Sequence, residues 1–372
     1  MEKGFERMQI NAFTFTKPVY VAKTSDPVKA LIRLPHKSPA DCRSMGLPHF
    51  CADKSGGPNC IVCPWAYAAD RFPRRIPVGA TPSPGTDKHL IVISPDHRTA
   101  LEANGCNRSA ATNVTSCMSM AVNVDLLGNG WDCAGVWSNN AGAPGNGTMG
   151  LWGASTDALD PAPEAAAAQK GGGTVRLGTD GIVIASGTSA LGGLIRAGEL
   201  AKGIRHALQF ATDPWRWNRH APPHGNRSFV WPASSSDDPD RDGFATSGNL
   251  FEGSLIALPS NINVSLLPFK SNGTALAAVR HIAYALQRYG AYGTDSSDSN
   301  GIQLFLDFNA RAEFPKAEEE QFLADMGVVA KQVRVVSNSF DPDSGGPPRQ
   351  GVRLHGGDGD LLAPLAPPFA LL

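Results

Sequence analysis

Residues that break helices punctuate this chain densely: 40 glycines and 29 prolines stand among its 372 positions. Glycine costs a helix backbone entropy, and proline removes a donor and clashes with the preceding turn. Elements between such breaks must be short, which favours strands joined by many turns over a helix bundle. The expected fold class is therefore mainly β. The chain is long enough for one large domain or two ordinary ones. Lys and Arg number 33 against 34 Asp and Glu, a formal charge of -1, so no basic surface is offered to nucleic acid. No apolar run reaches the about 18 residues of a membrane-spanning helix.

Along the chain, "FTFTKPVYVAK" and "ALIRLP" read as early strands, followed by a cysteine-rich loop over about 41–73. "HLIVIS" (89–94), "SMAVNVDLLG", "GWDCAGVWS", "GTMGLWGAS", "RSFVWPA", "QLFLDF" and "QVRVVS" carry strand chemistry between Gly and Asn turns. Two helices interrupt this pattern. Residues 274–289 place Leu276, Val279, Ile282, Leu286 and Tyr289 at helical spacing, with Gly290 in the position of a C′ glycine. The other starts at Pro315 and is expected to end at Gly327. The alanine-rich 160–173 stretch reads as a surface excursion. The expected organisation is an N-terminal segment with its Cys-rich loop (1–75), a β core (76–340) and a Pro/Gly-rich tail (341–372).

Two features point to an extracellular protein. Asn107, Asn113, Asn146, Asn226, Asn263 and Asn272 each open an N-x-[ST] sequon with no proline at x. Cys42, Cys51, Cys60 and Cys63 cluster in one turn-rich segment, and Cys106, Cys117 and Cys133 in another, as disulfide candidates where little core exists. His49, Cys51, Cys60 and Cys63 are an alternative zinc set, through the ligand spacing of Cys60 and Cys63. The first twenty residues show no uninterrupted apolar stretch with a small-residue cleavage site, so no secretory signal is legible in this numbering.

The stretch "GLIRAGELAKGIRHALQF" changes from a short helix (196–202) to alternation, placing His206 in phase with Ile204, Leu208 and Phe210. His89 is likewise in phase with Ile91 and Ile93. Each histidine is either a core residue bonded to a backbone carbonyl or the working group of a cleft.

The order "PSPGTDKHLIVI", "SALGGLIRAGELAKGIRHALQF", "FVWPA" with an acidic "SD" loop, then "IAYALQRYGAYGTDSS" resembles a family of secreted bacterial and fungal proteins. Its pattern reads GTDGH, GLIRxxELxxGxIxHAL, WPAxxSDG and ALQxYGxY, and the likeness spans about residues 76–337. The resemblance implies a secreted β-sandwich of jelly-roll character with a few short peripheral helices, similar in style to carbohydrate-active enzymes; no reaction comes with it. Lys88 stands where that pattern has glycine, the acidic loop is longer, and the cysteine-rich segment is added.

On such a scaffold the specific expectation is degradation of a polysaccharide by β-elimination, with His206, His89 and Tyr289 as acid and base. Arg196, Arg205 or Gln209 would neutralise a uronate carboxylate, and Asp87, Trp231 and Asp295 would line the substrate site. Glycoside hydrolysis is the enzyme alternative, needing two carboxylates from Asp87, Glu102, Glu199, Asp295 and Asp307, of which Glu199 reads as a surface residue. Trp215, Trp217 and Trp231 offer an aromatic platform for sugar faces, which suits a non-catalytic glycan-binding or structural glycoprotein equally. Asp238, Asp240 and Asp242 form the start of a calcium loop that lacks the bidentate glutamate; no other cofactor is expected. No GxSxG, Walker, Rossmann or HExxH signature occurs.

Overall fold

Short β-branched and apolar runs between turns pair into two main sheets. The computed structural model describes residues 5–29, 31–33, 74–97, 100–108, 115–117, 119–123, 184–186, 188–218, 229–230, 233, 237, 243–246, 248–299 and 301–336. Its strands are β1 (Met8–Asn11), β2 (Val19–Val21), β3 (Val28–Lys29), β4 (Leu31–Arg33), β5 (Arg74–Arg75), β6 (Leu90–Ile93), β7 (Ala100–Asn104), β8 (Asn107–Arg108), β9 (Thr115–Cys117) and β10 (Ser119–Asn123). After the short helix α1 (Glu199–Lys202) come β11 (Leu208–Thr212), β12 (Leu255–Ala257), helix α2 (Gly273–Arg288), β13 (Ala291–Ser296), β14 (Ile302–Phe305), helix α3 (Glu319–Ala330) and β15 (Arg334–Val335).

The larger sheet has the order β1-β14-β11-β13-β12-β15, and the second β10-β7-β6-β2; two small sheets are β3-β5 and β4-β9-β8. The mainly β expectation holds. A jelly roll implies antiparallel pairing, whereas the ladders β1/β14, β11/β13, β2/β6 and β4/β9 are parallel. The N-terminal strands belong to these sheets, β1 beside β14 and β2 beside β6.

Alternation along β11 sorts its side chains between two cores. Leu208 and Phe210 pack with Ile256 and Leu304 beneath α2 and α3, against Val279, Ile282, Leu286, Phe322 and Met326. On the opposite side Ala211 and Phe305 join Leu90, Ile91, Leu101 and Ala103 of the second sheet. The layers are thus helices, large sheet and small sheet. Helix α2 follows its expected bounds, and Gly290 takes the left-handed C′ conformation with a φ of 75°. Helix α3 departs from expectation: it opens with a 3-10 turn at Lys316–Glu318 and runs through Gly327 to Ala330. Burial of Val329 and Ala330 against the sheet outweighs the cost of one internal glycine. Of "RSFVWPA" only Phe229, Val230 and Ala233 are described, and Phe229 makes an isolated bridge to Glu252.

Cys106 and Cys117 form a disulfide. Cys42, Cys51, Cys60, Cys63 and Cys133, His49 and the proposed excursion and tail lie outside the described residues. Among the described residues no helix is long and apolar enough to cross a membrane.

Gly293 on β13 faces Trp217, which is fully buried and stacks on Phe210 at 5.9 Å between ring centroids. A Cβ at Gly293 would lie 2.4 Å from the indole. Gly293→Ala is expected to destabilise the fold by about 1–3 kcal/mol through overpacking, measured by denaturant unfolding.

Candidate functional site

The polar groups that matter most are buried in the seam between the two sheets. Lys17 has no solvent exposure. Just before β2, its backbone bridges to Asp307, and its ammonium donates to Gln209 Oε1 at 2.8 Å and stands 4.1 Å from the Phe305 ring centroid. Gln209, on the seam face of β11, donates through Nε2 to the Ala190 carbonyl at 3.2 Å. The Ala190 N–H and the Ser189 hydroxyl both donate to the carboxylate of Glu102 on β7. One continuous chain of hydrogen bonds therefore runs from Lys17 in the N-terminal segment to Glu102 in the other sheet.

A β-bulge completes the group. Phe210 pairs with Gly293, but Ala211 pairs with Asp295, so Thr294 is the extra residue. Directly paired residues share a sheet face, so the bulge turns Asp295 to the Ala211 side, the seam. Thr294 donates to the Phe210 carbonyl at 3.3 Å. Asp295 lies close enough to Lys17, Asp87 and Asp237 for their charges to act on it. Asp237 accepts from the Ser296 N–H at 3.2 Å. Asp87, with a side chain 43% exposed, gives the cluster an open edge.

Burial dominates the titration of these groups. It pushes the Lys17 ammonium down to about 8 against the pull of Asp295, Asp87 and Glu102. Glu102 is raised by burial to about 7, the bonds from Ser189 and Ala190 countering in part. Burial, with Lys17 adding to it, holds His89 at about 3, so the imidazole is neutral; its Nε2 is 3.8 Å from Asp87 Oδ2, beyond hydrogen-bond length. Burial lifts Asp295 well above its ordinary value, Asp237 and Asp87 lift it further, and Lys17 opposes them.

The expected site residues divide accordingly. Asp87, His89, Gln209 and Asp295 come together at the seam. His89 and His206 both precede their strands and are buried, at 2% and 5% exposure, and they keep separate partners. His206 bonds Glu199 and the Ala207 carbonyl, so Glu199 is half-buried and paired rather than a free surface residue. Tyr289 caps α2 and packs with Ala207, Leu255 and Tyr292 at the His206 end of β11. Arg196 feels Glu199 and Asp307, and Arg205 is exposed. Asp307 accepts from the Val19 and Asn309 backbone, a capping role. Trp217 belongs to the core in place of a platform, because Phe210 and Phe244 enclose its ring; Trp215 is 54% exposed.

Asn107, Asn263 and Asn272 are exposed. Trp231, Asp238, Asp240, Asp242, Asn113, Asn146 and Asn226 lie outside the described residues. Among the described residues no three His, Cys, Asp or Glu side chains are placed to hold a metal ion.

Reading by spacing missed Lys17, Ser189 and Asp237. A signal existed for the first: in "FTFTKPVYV" Lys17 alternates in phase with Phe13, Phe15 and Val19. No family model, curated protein or solved structure matches the chain.

Two predictions follow from this geometry. A carboxyl whose pKa is raised on folding favours the native state while protonated, so Glu102 should contribute stability below about 4.5 that is lost as pH rises through about 7. Glu102→Gln, whose carbonyl can still accept from the Ala190 N–H while its amide faces the Ser189 hydroxyl as a donor, should flatten that fall, which amounts to a few kcal/mol in unfolding free energy between pH about 5 and about 8. Lys88, between Asp87 and His89, has a φ of 44°, where glycine carries no Cβ penalty. Lys88→Gly should therefore be more stable than Lys88→Ala by about 1 kcal/mol in the same assay.

Proposed function

We propose that the protein is a secreted, disulfide-containing glycoprotein that cleaves a polysaccharide by hydrolysis, with Asp295 and Asp87 as the working carboxylates. The observation that carries this reading is the bulge that delivers Asp295 into a seam shared with Asp87, Asp237 and Lys17. Glycoside hydrolysis needs one carboxyl that holds a proton and another that is ionised. Desolvated Asp295 suits the first role and the more open Asp87 the second. Asp295 would give its proton to the glycosidic oxygen as the C–O bond breaks; water would add to the anomeric carbon and pass its proton to Asp87. Gln209 fixes the Lys17 ammonium, whose charge steadies the carboxylate that Asp295 becomes.

The scaffold under this reading is a sandwich of two mixed sheets, whose parallel ladders depart from a jelly roll. The sequons at exposed Asn107, Asn263 and Asn272 and the Cys106–Cys117 bridge support an extracellular setting. Elimination through His206, His89 and Tyr289 has less support, because the histidines have separate partners and Arg196 stands among Glu199 and Asp307.

Incubation with neutral and uronate-containing polysaccharides, read by reducing ends and by absorbance of unsaturated products, tests the proposal. Reducing ends without unsaturation are expected, and Asp295→Asn should lower the rate at least about 100-fold with the fold intact. Unsaturated products would establish elimination instead, and glycan binding with no cleavage would establish a binding protein.

A further inference from the structure

Away from the seam, at the surface beside α2, we propose that Asn263 carries an N-linked glycan whose first sugar lies over Leu266 and Tyr284. The proposal rests on the glycoprotein part of the reading above and is independent of the hydrolysis. Asn263, Val264 and Ser265 form one of the sequons, and both of its polar residues are exposed. Asn263 precedes a 3-10 turn over Val264–Leu266, and its Oδ1 accepts from the Ser265 N–H at 3.0 Å. That bond commits the carbonyl oxygen to the turn, so the amide nitrogen, on the other side of the planar group, is directed away from it. Attachment there replaces one N–H. Nδ2 bonds C1 of the reducing-end N-acetylglucosamine of a lipid-pyrophosphate oligosaccharide, the C1–O bond breaks, the pyrophosphate leaves with that electron pair, and Nδ2 gives up a proton.

The surface beside the acceptor is what singles it out. Leu266 is 80% exposed, the most open large apolar side chain among the described residues. Tyr284 on α2 is 42% exposed, and its hydroxyl is 3.2 Å from Ser265 Oγ. One short turn therefore presents an attachment point next to a leucine and an aromatic ring. A sugar has a C–H face that suits such a surface, and covering it removes apolar area from water. The platform is fixed. Val264 is buried in the helical-side core, and the Leu267 N–H closes the turn on the Val264 carbonyl at 3.3 Å. Gln287 Nε2 on α2 donates to the Pro259 and Ile262 carbonyls at 2.9 Å and 2.8 Å, holding the approach to the turn. Two other sequon asparagines sit differently. Asn107 accepts from Lys88 Nζ at 2.6 Å on the paired strand β8, and Asn272 leads into α2, its carbonyl accepting from the Leu276 N–H at 3.1 Å.

The full chain, secreted from a eukaryotic host behind a cleavable leader, tests this. Peptide mass mapping should find Asn263 occupied, and Asn263→Gln and Ser265→Ala should each abolish that modification. Hydroxyl-radical labelling of Leu266 and Tyr284 should rise about twofold or more when the glycan is removed whole, one sugar face covering about half of what they expose. Trimming to the first N-acetylglucosamine should leave the labelling low. Asn263 bare while another sequon is occupied would overturn the proposal and leave the glycoprotein reading standing, whereas no sequon occupied would overturn both. Labelling unchanged by whole removal would place the glycan out in solvent and overturn it too. Self-association of the deglycosylated chain that shields Tyr284 would assign the patch to a second copy instead.

Discussion

Placing an ammonium where water cannot reach it is the constraint around which the two sheets are arranged. Lys17 is fully buried, and an isolated cation there would carry a penalty of several kcal/mol. Among the described residues its direct side-chain hydrogen bond goes to a neutral amide, Gln209, and its charge is balanced at longer range by Asp295, Asp87 and Glu102. Gln209 has little freedom as a result. Its carbonyl is committed to Lys17, so its amide must find an acceptor, and Ala190 supplies one. Satisfying one buried charge thereby fixes the N-terminal segment, the middle of β11 and the loop ahead of α1.

β11 is where these demands meet the hydrophobic ones. Leu208 and Phe210 bind it to the helical layer, while Gln209 and Ala211 face the seam. A strand loaded on both faces cannot slip by one residue without exchanging core for polar groups. The bulge on β13 is compatible with this because it leaves β11 regular and shifts only its partner: Gly293 stays opposite Phe210, where Trp217 demands a missing side chain, and Asp295 moves to the seam. The parallel ladder thus serves packing before the bulge and chemistry after it.

These particulars explain what was legible in the sequence. The mainly β class and helix α2 with its Gly290 terminus rest on local periodicity and turn chemistry, and the structure has them. His206 and His89 are buried as their apolar phase suggests, but phase says nothing about partners. Glu199 opens a four-residue helix, a position that reads as exposed; its partial burial comes with His206, seven residues away across a glycine turn. Asp295 was visible only as a turn aspartate, since a bulge is a relation between two strands and leaves no mark in one. Lys17 escaped because a lysine in a strand pattern reads as an outward position, and the groups that offset its charge lie 70 or more residues away along the chain.

Glu102 and Glu199 show which effect decides the state of a buried carboxylate in this fold. Each accepts a backbone N–H, from Ala190 and Arg196 respectively, and each has a cationic side chain in its neighbourhood. At Glu199 the partner touches: the His206 ring is 3.0 Å away, and the side chain retains 19% exposure. At Glu102 the nearest polar partners are a hydroxyl and an amide, while Lys17 spends its direct bond on Gln209. Contact with a charge offsets desolvation, whereas a charge two hydrogen-bonded residues removed, through Gln209 and Ala190, does not, so Glu199 is stabilised as an anion and Glu102 moves up to about 7. A glutamate with a cation nearby therefore gives an ionic pair at one end of β11 and a proton-holding group at the seam, and the difference lies in what Gln209 and Ala190 interpose.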